Sequence, residues 1–332
     1  MMQNPRSVSE HPYDRLTPDL VIEAVESLGH VSDGRILALN SYENRVYQVG
    51  LEDGPPLVAK FYRPGRWSDA AIREEHAFAL ELVEHEVPIV PPLVREGRSL
   101  FELQGFRFAV FERRGGRWPE LGTREEREWI GRFLGRIHMI GRRMRFQHRG
   151  RIDVERLGED SCRYVLEEGW LPAHLETAYD SLTSDLLERV RAAFEAAGAS
   201  QLRLHGDCHR GNVLWTDDGP HFVDLDDCIM GPAIQDLWML LAGSRAEMAE
   251  QMAQILEGYA QFSMFDYSEL ALIESLRTLR MIHYAAWLAR RWEDPAFPRA
   301  FPWFREPRYW EEHVLQLREQ LAAIDEGPLA LG

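Results

Sequence analysis

The spacing of hydrophobic residues near the start of the chain predicts one helix followed by three strands. Thr17-Pro18 is typical of a helix start, because a capping hydroxyl precedes a proline at the first helical position. Apolar residues then recur at helical spacing until Gly29. The alternating or apolar runs that follow predict strands at 35–39, 45–49 and 57–62, separated by turn-rich segments.

A second helix and two further strands complete this first part of the chain. Ser68-Asp69 opens the helix, its apolar stripe includes Phe78 and Leu82, and Pro88 follows its end. Strand patterns occur at 99–102 and 106–111, before the turn signal Gly115-Gly116. We therefore expect an antiparallel sheet with one long crossing helix.

Helical patterns dominate beyond Gly116. Only 203–224 interrupts them with strand and loop character. This change in pattern predicts an α+β protein with a small sheet lobe and a larger helical lobe. The predicted helices are 124–144, 176–197, 246–262, 267–292 and 309–324, and the predicted division is a flexible tail at 1–15, the sheet lobe at 16–112, the helical lobe at 113–325 and a second tail at 326–332.

Composition narrows the class of protein. The 332 residues suffice for two lobes, and no apolar run has the ~18 residues needed to span a bilayer. The amino terminus has no apolar signal core, so we expect a cytoplasmic protein with no membrane partner. Three cysteines without metal-ligand spacing indicate neither a disulfide framework nor a zinc site. A net charge of -16 opposes nucleic-acid binding and suits either solubility or a cationic substrate.

Lys60 is the single lysine among 38 basic residues. An ammonium is a compact point charge, whereas guanidinium is a planar fork, so a site that requires the first cannot accept the second. The retention of lysine at this one strand position indicates a specific role for its ammonium group.

The stretch LRLHGDCHRGNVLWTDDGPHFVDLDDC contains the strongest candidate chemistry. Asp207 lies five residues before Asn212, and Asp224 lies twelve residues after Asn212. Each is beside an apolar strand pattern. Phosphoryl transfer needs a base for the acceptor hydroxyl and a divalent cation held by carboxylate and amide oxygens. The ordered set predicts a catalytic loop followed by a metal-binding carboxylate, whereas turn formation would explain each residue only singly.

HGDCHRGN resembles the HGDxHxxN loop of aminoglycoside phosphotransferases and their protein-kinase-like relatives. This resemblance implies a bilobal protein-kinase-like fold, ATP as co-substrate and Mg²⁺ as cofactor. It assigns the catalytic roles to Asp207 and Asp224, with Asn212 and Asp224 as the metal ligands. His205 would support the base, and Asp236 in GPAIQDLWML would brace the catalytic loop.

The same resemblance assigns the nucleotide side. Lys60 matches the ATP-binding lysine, and Glu75 is its preferred partner over Glu74 because Ala79 and Leu82 follow Glu75 on one helix face. The turn at 40–44 resembles a glycine-poor phosphate loop in which Ser41 and backbone amides would hold phosphate, although a plain polar hairpin remains an alternative. Phe111 and Glu112 match the hinge that holds adenine.

Asp226 and Asp227 are open to two interpretations. Asp226 would share a strand face with Asp224 and could assist a second metal. Alternatively, both acids are solvated or cap a turn.

Across about residues 16–320 the chain resembles the bacterial stress response kinase A group, in strings such as LNSYENRVYQV, EEHAFALEL and AWLARRWEDPAFPRAFPW. That resemblance implies a monomeric cytoplasmic Ser/Thr protein kinase of the stress response, with autophosphorylation among its expected activities. Two alternatives stay open. One is a small-molecule kinase for an aminoglycoside, choline or homoserine, and the other is a catalytically silent scaffold.

Overall fold

The computed structural model describes residues 11–331, and its first part is built on one antiparallel sheet. The strand order is β1-β2-β3-β5-β4, with β3 in the centre. In β3, Lys60 lies opposite Val46 on one side and Ala109 on the other. The strands are β1 (Ser32–Ala38), β2 (Arg45–Leu51), β3 (Leu57–Phe61), β4 (Phe101–Leu103) and β5 (Phe106–Glu112).

Helices α1 (Pro18–Glu26) and α2 (Asp69–Glu84) accompany this sheet. Thr17 and Ser68 cap them as the sequence predicts, each accepting a backbone N–H three residues on. Ala59 and Phe61 are buried in one core with α1. Because side chains alternate along a strand, Lys60 points to the opposite face, where Glu75 of α2 lies.

The rest of the chain is mainly helical and surrounds the larger hydrophobic core. Capping boxes begin two of the helices, at Thr123 and Ser244. The helices are α3 (Arg124–Gly141), α4 (Asp160–Glu167), α5 (Ala173–Ala197), α6 (Gln235–Trp238), α7 (Arg245–Tyr259), α8 (Ile273–Arg290), α9 (Ala296–Ala300) and α10 (Pro307–Asp325).

Two small antiparallel pairs lie within this helical part and carry its functional loops. Strand β6 (Leu202–Leu204) pairs with β9 (Ile229–Gly231), and β7 (Val213–Thr216) pairs with β8 (Gly219–Phe222). The first pair brings both ends of the motif-bearing stretch together. This pairing positions the HGDCHRGN loop beside the VDLDD loop.

The predicted pattern differs from the structure at several boundaries. The long predicted helix at 267–292 begins instead with a 3-10 turn, Tyr267–Leu272, before α8. A π-helical turn, Glu155–Glu159, leads into α4 and was not predicted. Each helix of the described residues is too short or too polar to cross a membrane.

Residues within both predicted tails pack against the rest of the protein. Pro12–Arg15 forms a 3-10 turn in which Tyr13 is buried and donates a hydrogen bond to the carbonyl of Phe61. Near the other end Leu329 is buried, and Arg245 donates to the carbonyl of Pro328. Residues 1–10 and 332 lie outside the described residues, and the division after residue 112 stays a prediction.

Candidate active site

Lys60 is buried between three carboxylates. Its Nζ lies 3.0 Å from Asp224 Oδ1, 3.1 Å from Asp226 Oδ1 and 3.5 Å from Glu75 Oε1. Burial alone would lower the pKa of Lys60, but these carboxylates outweigh burial and raise the pKa well above its ordinary value. The ammonium is therefore charged, and it joins the sheet to the loops of the helical part.

The two adjacent glutamates of α2 have different partners. Glu75 is buried and contacts Lys60, and Arg149 Nη1 also lies 3.5 Å from Glu75 Oε2. Glu74 instead accepts backbone N–H groups from residues 147–149. Burial raises the pKa of Glu75 to about 7, although Lys60 and Arg149 favour its ionised form.

Asp236 holds the start of the catalytic loop, His205–Asn212. Its two carboxylate oxygens accept the backbone N–H groups of His205 and Gly206, both at 2.8 Å. Asp236 is fully buried, and His138 Nε2 lies 3.1 Å from its Oδ2. The His205 ring donates from Nε2 to the carbonyl of Val223 at 2.9 Å, so it links this loop to the next one.

Gly206 allows the two functional loops to approach each other closely. Its φ is +88°, and an added Cβ would collide with the carbonyl oxygen of Asp227. Only glycine satisfies both the left-handed backbone and the close approach. The glycine of the HGD sequence therefore fixes the distance between the loop of Asp207 and the loop of Asp224.

Asp207 is partly exposed and lies beside an arginine and a histidine. Arg280 Nη1 of α8 donates to Asp207 Oδ1 at 2.7 Å, and His209 Nε2 lies 3.4 Å from Oδ2. Asn212 Nδ2 donates to the backbone carbonyl of Asp207 at 3.0 Å. Burial would raise the pKa of Asp207, but the hydrogen bond from His209 and the charge of Arg280 outweigh burial and hold the pKa below its ordinary value. The carboxylate is ionised and can accept a proton.

Asp224 follows β8 and presents its carboxylate to the cleft, with 52% of the side chain exposed. Its φ of 59° lies in the left-handed region, which costs a non-glycine residue about 1 kcal/mol or more and occurs preferentially at functional sites. This conformation ends the extended backbone. The interpretation that Asp226 shares a strand face with Asp224 is therefore wrong, because Leu225–Asp227 form a 3-10 turn.

Asp226 is also not solvated. It is buried, accepts a hydrogen bond from Asn44 Nδ2 at 3.0 Å and pairs with Arg66. Arg66 pairs with Asp227 as well. Burial would raise the pKa of Asp226, but Lys60 and Arg66 outweigh it and lower the pKa. Asp226 therefore connects the sheet to the VDLDD loop through ion pairs.

The residues present fit a divalent cation bound together with a nucleotide. Asp224 offers a carboxylate to the cleft, and Asn212 Oδ1 accepts no hydrogen bond within residues 11–331. The same residues contain no group of three or more His, Cys, Asp or Glu that could hold a metal by itself. Magnesium commonly takes one or two protein oxygens and completes its shell with phosphates and water.

A cleft of about 550 Å³ lies between the sheet and these loops. Asp207, His205 and Asp236 lie outside its lining. Trp118, which is 70% exposed, also lines the cleft and was not predicted from the sequence. The predicted residues that the structure brings together in its lining are Ser41, Lys60, Glu75, Phe111, Glu112, Asn212 and Asp224.

The loop at 39–44, between β1 and β2, is attached to α8 and to the residues that directly follow it. Glu43 accepts hydrogen bonds from Trp287 Nε1 at 2.6 Å and Arg291 Nε at 3.0 Å. On the strand side, Arg45 and Arg63 pair with Asp294 at 2.8 and 2.5 Å. We call these ion pairs the loop clamp (Glu43, Arg45, Arg63, Arg291 and Asp294), and they were not predicted from the sequence. The opposite charges in the segments YENR and RRWED are the sequence feature that could have indicated these contacts.

A lysine–carboxylate pair, a cleft, an exposed carboxylate for a metal and a separate ionised base together define a kinase-type phosphotransferase. The chain belongs to the phosphotransferase enzyme family, whose model matches residues 35–273. The predicted α+β kinase-like fold and the predicted enzyme class are thereby confirmed. The fold implies ATP as co-substrate.

Curated relatives agree with the resemblance found in the sequence. Stress response kinase A of Escherichia coli (strain K12) is 45% identical over 323 residues, which cover 97% of this chain and 98% of the relative. The serine/threonine protein kinase RdoA of Salmonella typhimurium is 47% identical over 321 residues, covering 96% and 97%. The predicted membership of the stress response kinase A group is therefore confirmed.

Solved structures share the fold at low identity. An amicoumacin kinase in complex with AMP-PNP, Ca²⁺ and Ami has a TM-score of 0.70 at 19% identity, covering 93% of this chain and 94% of its own. A microcompartment-associated aminopropanol kinase has a TM-score of 0.68 at 18% identity, covering 93% and 99%. At this identity the likeness concerns the fold alone.

Proposed function

We propose that this protein is an ATP- and magnesium-dependent Ser/Thr protein kinase that transfers the γ-phosphate of ATP to protein hydroxyls and also phosphorylates itself. The observation that carries the proposal is the burial of the single lysine among Glu75, Asp224 and Asp226 beside a cleft. The relative named as a serine/threonine protein kinase, at 47% identity over 96% of this chain, supports a protein acceptor.

On the nucleotide side, each residue has one proposed role. Lys60 contacts the ATP phosphates and is positioned by Glu75. Ser41 and neighbouring amides cover the phosphates, and the backbone of Phe111 and Glu112 holds adenine. Asn212 and Asp224 hold magnesium, which would neutralise charge on the phosphates when bound.

On the acceptor side, Asp207 accepts the proton of the Ser or Thr hydroxyl. The oxygen then forms a bond to the γ-phosphorus as the bond from that phosphorus to the ADP oxygen breaks. Asp236 keeps Asp207 in place, because its carboxylate accepts the backbone N–H groups of the two residues that precede Asp207. The His205 ring supports the same loop by donating to the carbonyl of Val223. The acceptor thus gives its proton to Asp207 and receives the phosphoryl group from ATP, and ADP is the leaving group.

An assay with labelled ATP tests the proposal. Purified enzyme with magnesium is offered a general Ser/Thr protein substrate and, separately, an aminoglycoside, choline and homoserine. We expect label on the protein substrate and on the enzyme itself. Label on a small molecule alone would replace the proposal with a small-molecule kinase.

Calorimetry tests the metal ligands. We expect Asp224→Ala to abolish the magnesium dependence of ATP binding and Asn212→Ala to weaken it, because only the carboxylate contributes a charge. An unchanged magnesium requirement in Asp224→Ala would show that the metal lies elsewhere.

A further inference from the structure

Asp207 has a guanidinium on its acceptor side. Arg280 projects from α8, donates from Nη1 to Asp207 Oδ1 at 2.7 Å and keeps 47% of its side chain exposed. An arginine carries five N–H donors in a rigid fork. Among residues 11–331, Asp207 is the only hydrogen-bond partner of the Arg280 guanidinium. The side chain is thus partly accessible to solvent, and its remaining donors are available to bind an anion.

Three further arginines lie near this part of α8 although the protein is acidic overall. His283, one turn further along α8, has its pKa lowered to about 4 by burial and by the charges of Arg156, Arg290, Arg280 and Arg66. Asp207 is paired with Arg280, and Asp227 is paired with Arg66. These two arginines therefore offset part of the acidic charge close to Asp207.

Distance limits how an acceptor can approach. Its hydroxyl must come within about 2.6–3.2 Å of the Asp207 carboxylate to transfer a proton. Arg280 contacts that same carboxylate, so the residues flanking the acceptor pass within a few ångströms of the guanidinium. A cationic neighbour is repelled there, whereas a carboxylate can form paired N–H···O bonds with the fork.

We propose that Arg280 determines substrate specificity by binding an acidic side chain that directly flanks the acceptor, so that Ser or Thr next to Asp or Glu is favoured. This inference rests on the proposed protein-kinase function. It differs from the expectation of a cationic substrate that the net charge alone suggests.

Three peptides that differ only in the residues flanking a single Ser test the proposal, with Glu, Gln or Lys on both sides. For the wild-type enzyme we expect kcat/KM for the Glu peptide to exceed that for the Lys peptide by about tenfold or more, as a charge-assisted hydrogen bond allows. Arg280→Gln should reduce the ratio to about twofold or less, and Arg280→Glu should reverse it. Nucleotide affinity shows whether each variant is folded.

Arg308→Glu is the matched control, because Arg308 is an exposed helical arginine that pairs with Glu312 at 2.7 Å on α10. It should leave the peptide ratio unchanged. Phosphorylation of no peptide would overturn the protein-kinase function and this inference with it. Equal rates for the three peptides, a preference for Lys, or a Glu preference that survives in both Arg280 variants would overturn the specificity role alone.

Discussion

The two sides of the active site hold their charges in different ways. On the nucleotide side, Lys60 and Asp226 are buried, and each contacts more than one opposite charge. On the acceptor side, Arg280 and Asp207 form one pair that remains partly exposed. Charges in a desolvated network are held rigidly and interact strongly, whereas exposed pairs exchange partners at little cost. We therefore expect the nucleotide side to hold one ligand in a fixed position and the acceptor side to respond to its substrate.

The largest expected effect comes from the base on the acceptor side. We expect Asp207→Ala to lower kcat by about 10²–10⁴-fold, which is the usual contribution of general acid–base catalysis. Nucleotide affinity should stay within a few-fold of wild type, because Asp207 lies outside the lining of the cleft. Single-turnover kinetics and calorimetry check the two parts. A variant with near-normal turnover would remove Asp207 from the base role.

Exchanging lysine and arginine should have unequal effects on the two sides of the site. Lys60→Arg should lower kcat/KM about 100-fold, since a planar guanidinium cannot replace a compact buried ammonium without displacing the carboxylates around it. Arg280→Lys should cost less than about tenfold, because its partly exposed pair tolerates rearrangement. Equal losses in steady-state assays would contradict the distinction between the two sides.

Chemical labelling gives an independent check on Lys60. Because the chain has no other lysine, an ATP-derived acyl phosphate should label one internal position besides the amino terminus. Excess ATP should protect that position. Labelling that is indifferent to ATP would place Lys60 outside the nucleotide site.

The buried carboxyl of Glu75 should make nucleotide binding sensitive to pH. Its pKa is raised from 4.5 to about 7, so the folded enzyme takes up a proton as the pH falls through 7. The neutral carboxyl no longer positions Lys60, and we expect the KM for ATP to rise below that pH. Glu75→Gln should show the high KM at every pH. If the KM for ATP changed with pH in the same way in both enzymes, the change would come from protonation of ATP and not of Glu75.

The smallest expected effect concerns Trp118 at the edge of the cleft. An aromatic contact contributes about 0.5–1.5 kcal/mol beyond area burial, so Trp118→Ala should weaken nucleotide binding by about tenfold or less. Trp303→Ala is the control, since Trp303 is also partly exposed but does not line the cleft. Titration calorimetry distinguishes them. An equal effect of both substitutions would show that Trp118 has no specific role.

Local patterns in the sequence predicted the contact between Lys60 and Glu75. Alternation along β3 places Lys60 away from Ala59 and Phe61, and helical spacing distinguishes Glu75 from Glu74. The ordered set Asp207, Asn212 and Asp224 depends on short spacings within one stretch of chain. The catalytic roles assigned to these residues stay predictions until the variants are measured.

Other features depend on backbone geometry or on distant contacts, and the sequence did not reveal them. The environment of Asp226 follows from the left-handed conformation of Asp224, which nothing in VDLDD indicates. Arg280 and Asp207 are 73 residues apart, on elements whose relative position no spacing rule fixes. With 38 basic residues in the chain, charge alone cannot identify the arginine that contacts the base.

The loop clamp has a consequence for how the enzyme is synthesised. Arg45 and Asp294 are 249 residues apart, so the loop that we propose covers the phosphates stays without this partner until residue 294 has left the ribosome. At about 5–20 residues per second, the delay between synthesis of the two residues is roughly 12–50 s. The sheet can form early from contacts within its own segment, but its loop cannot. In a nascent chain this loop is therefore attached late, when residues 291–294 reach Glu43, Arg45 and Arg63.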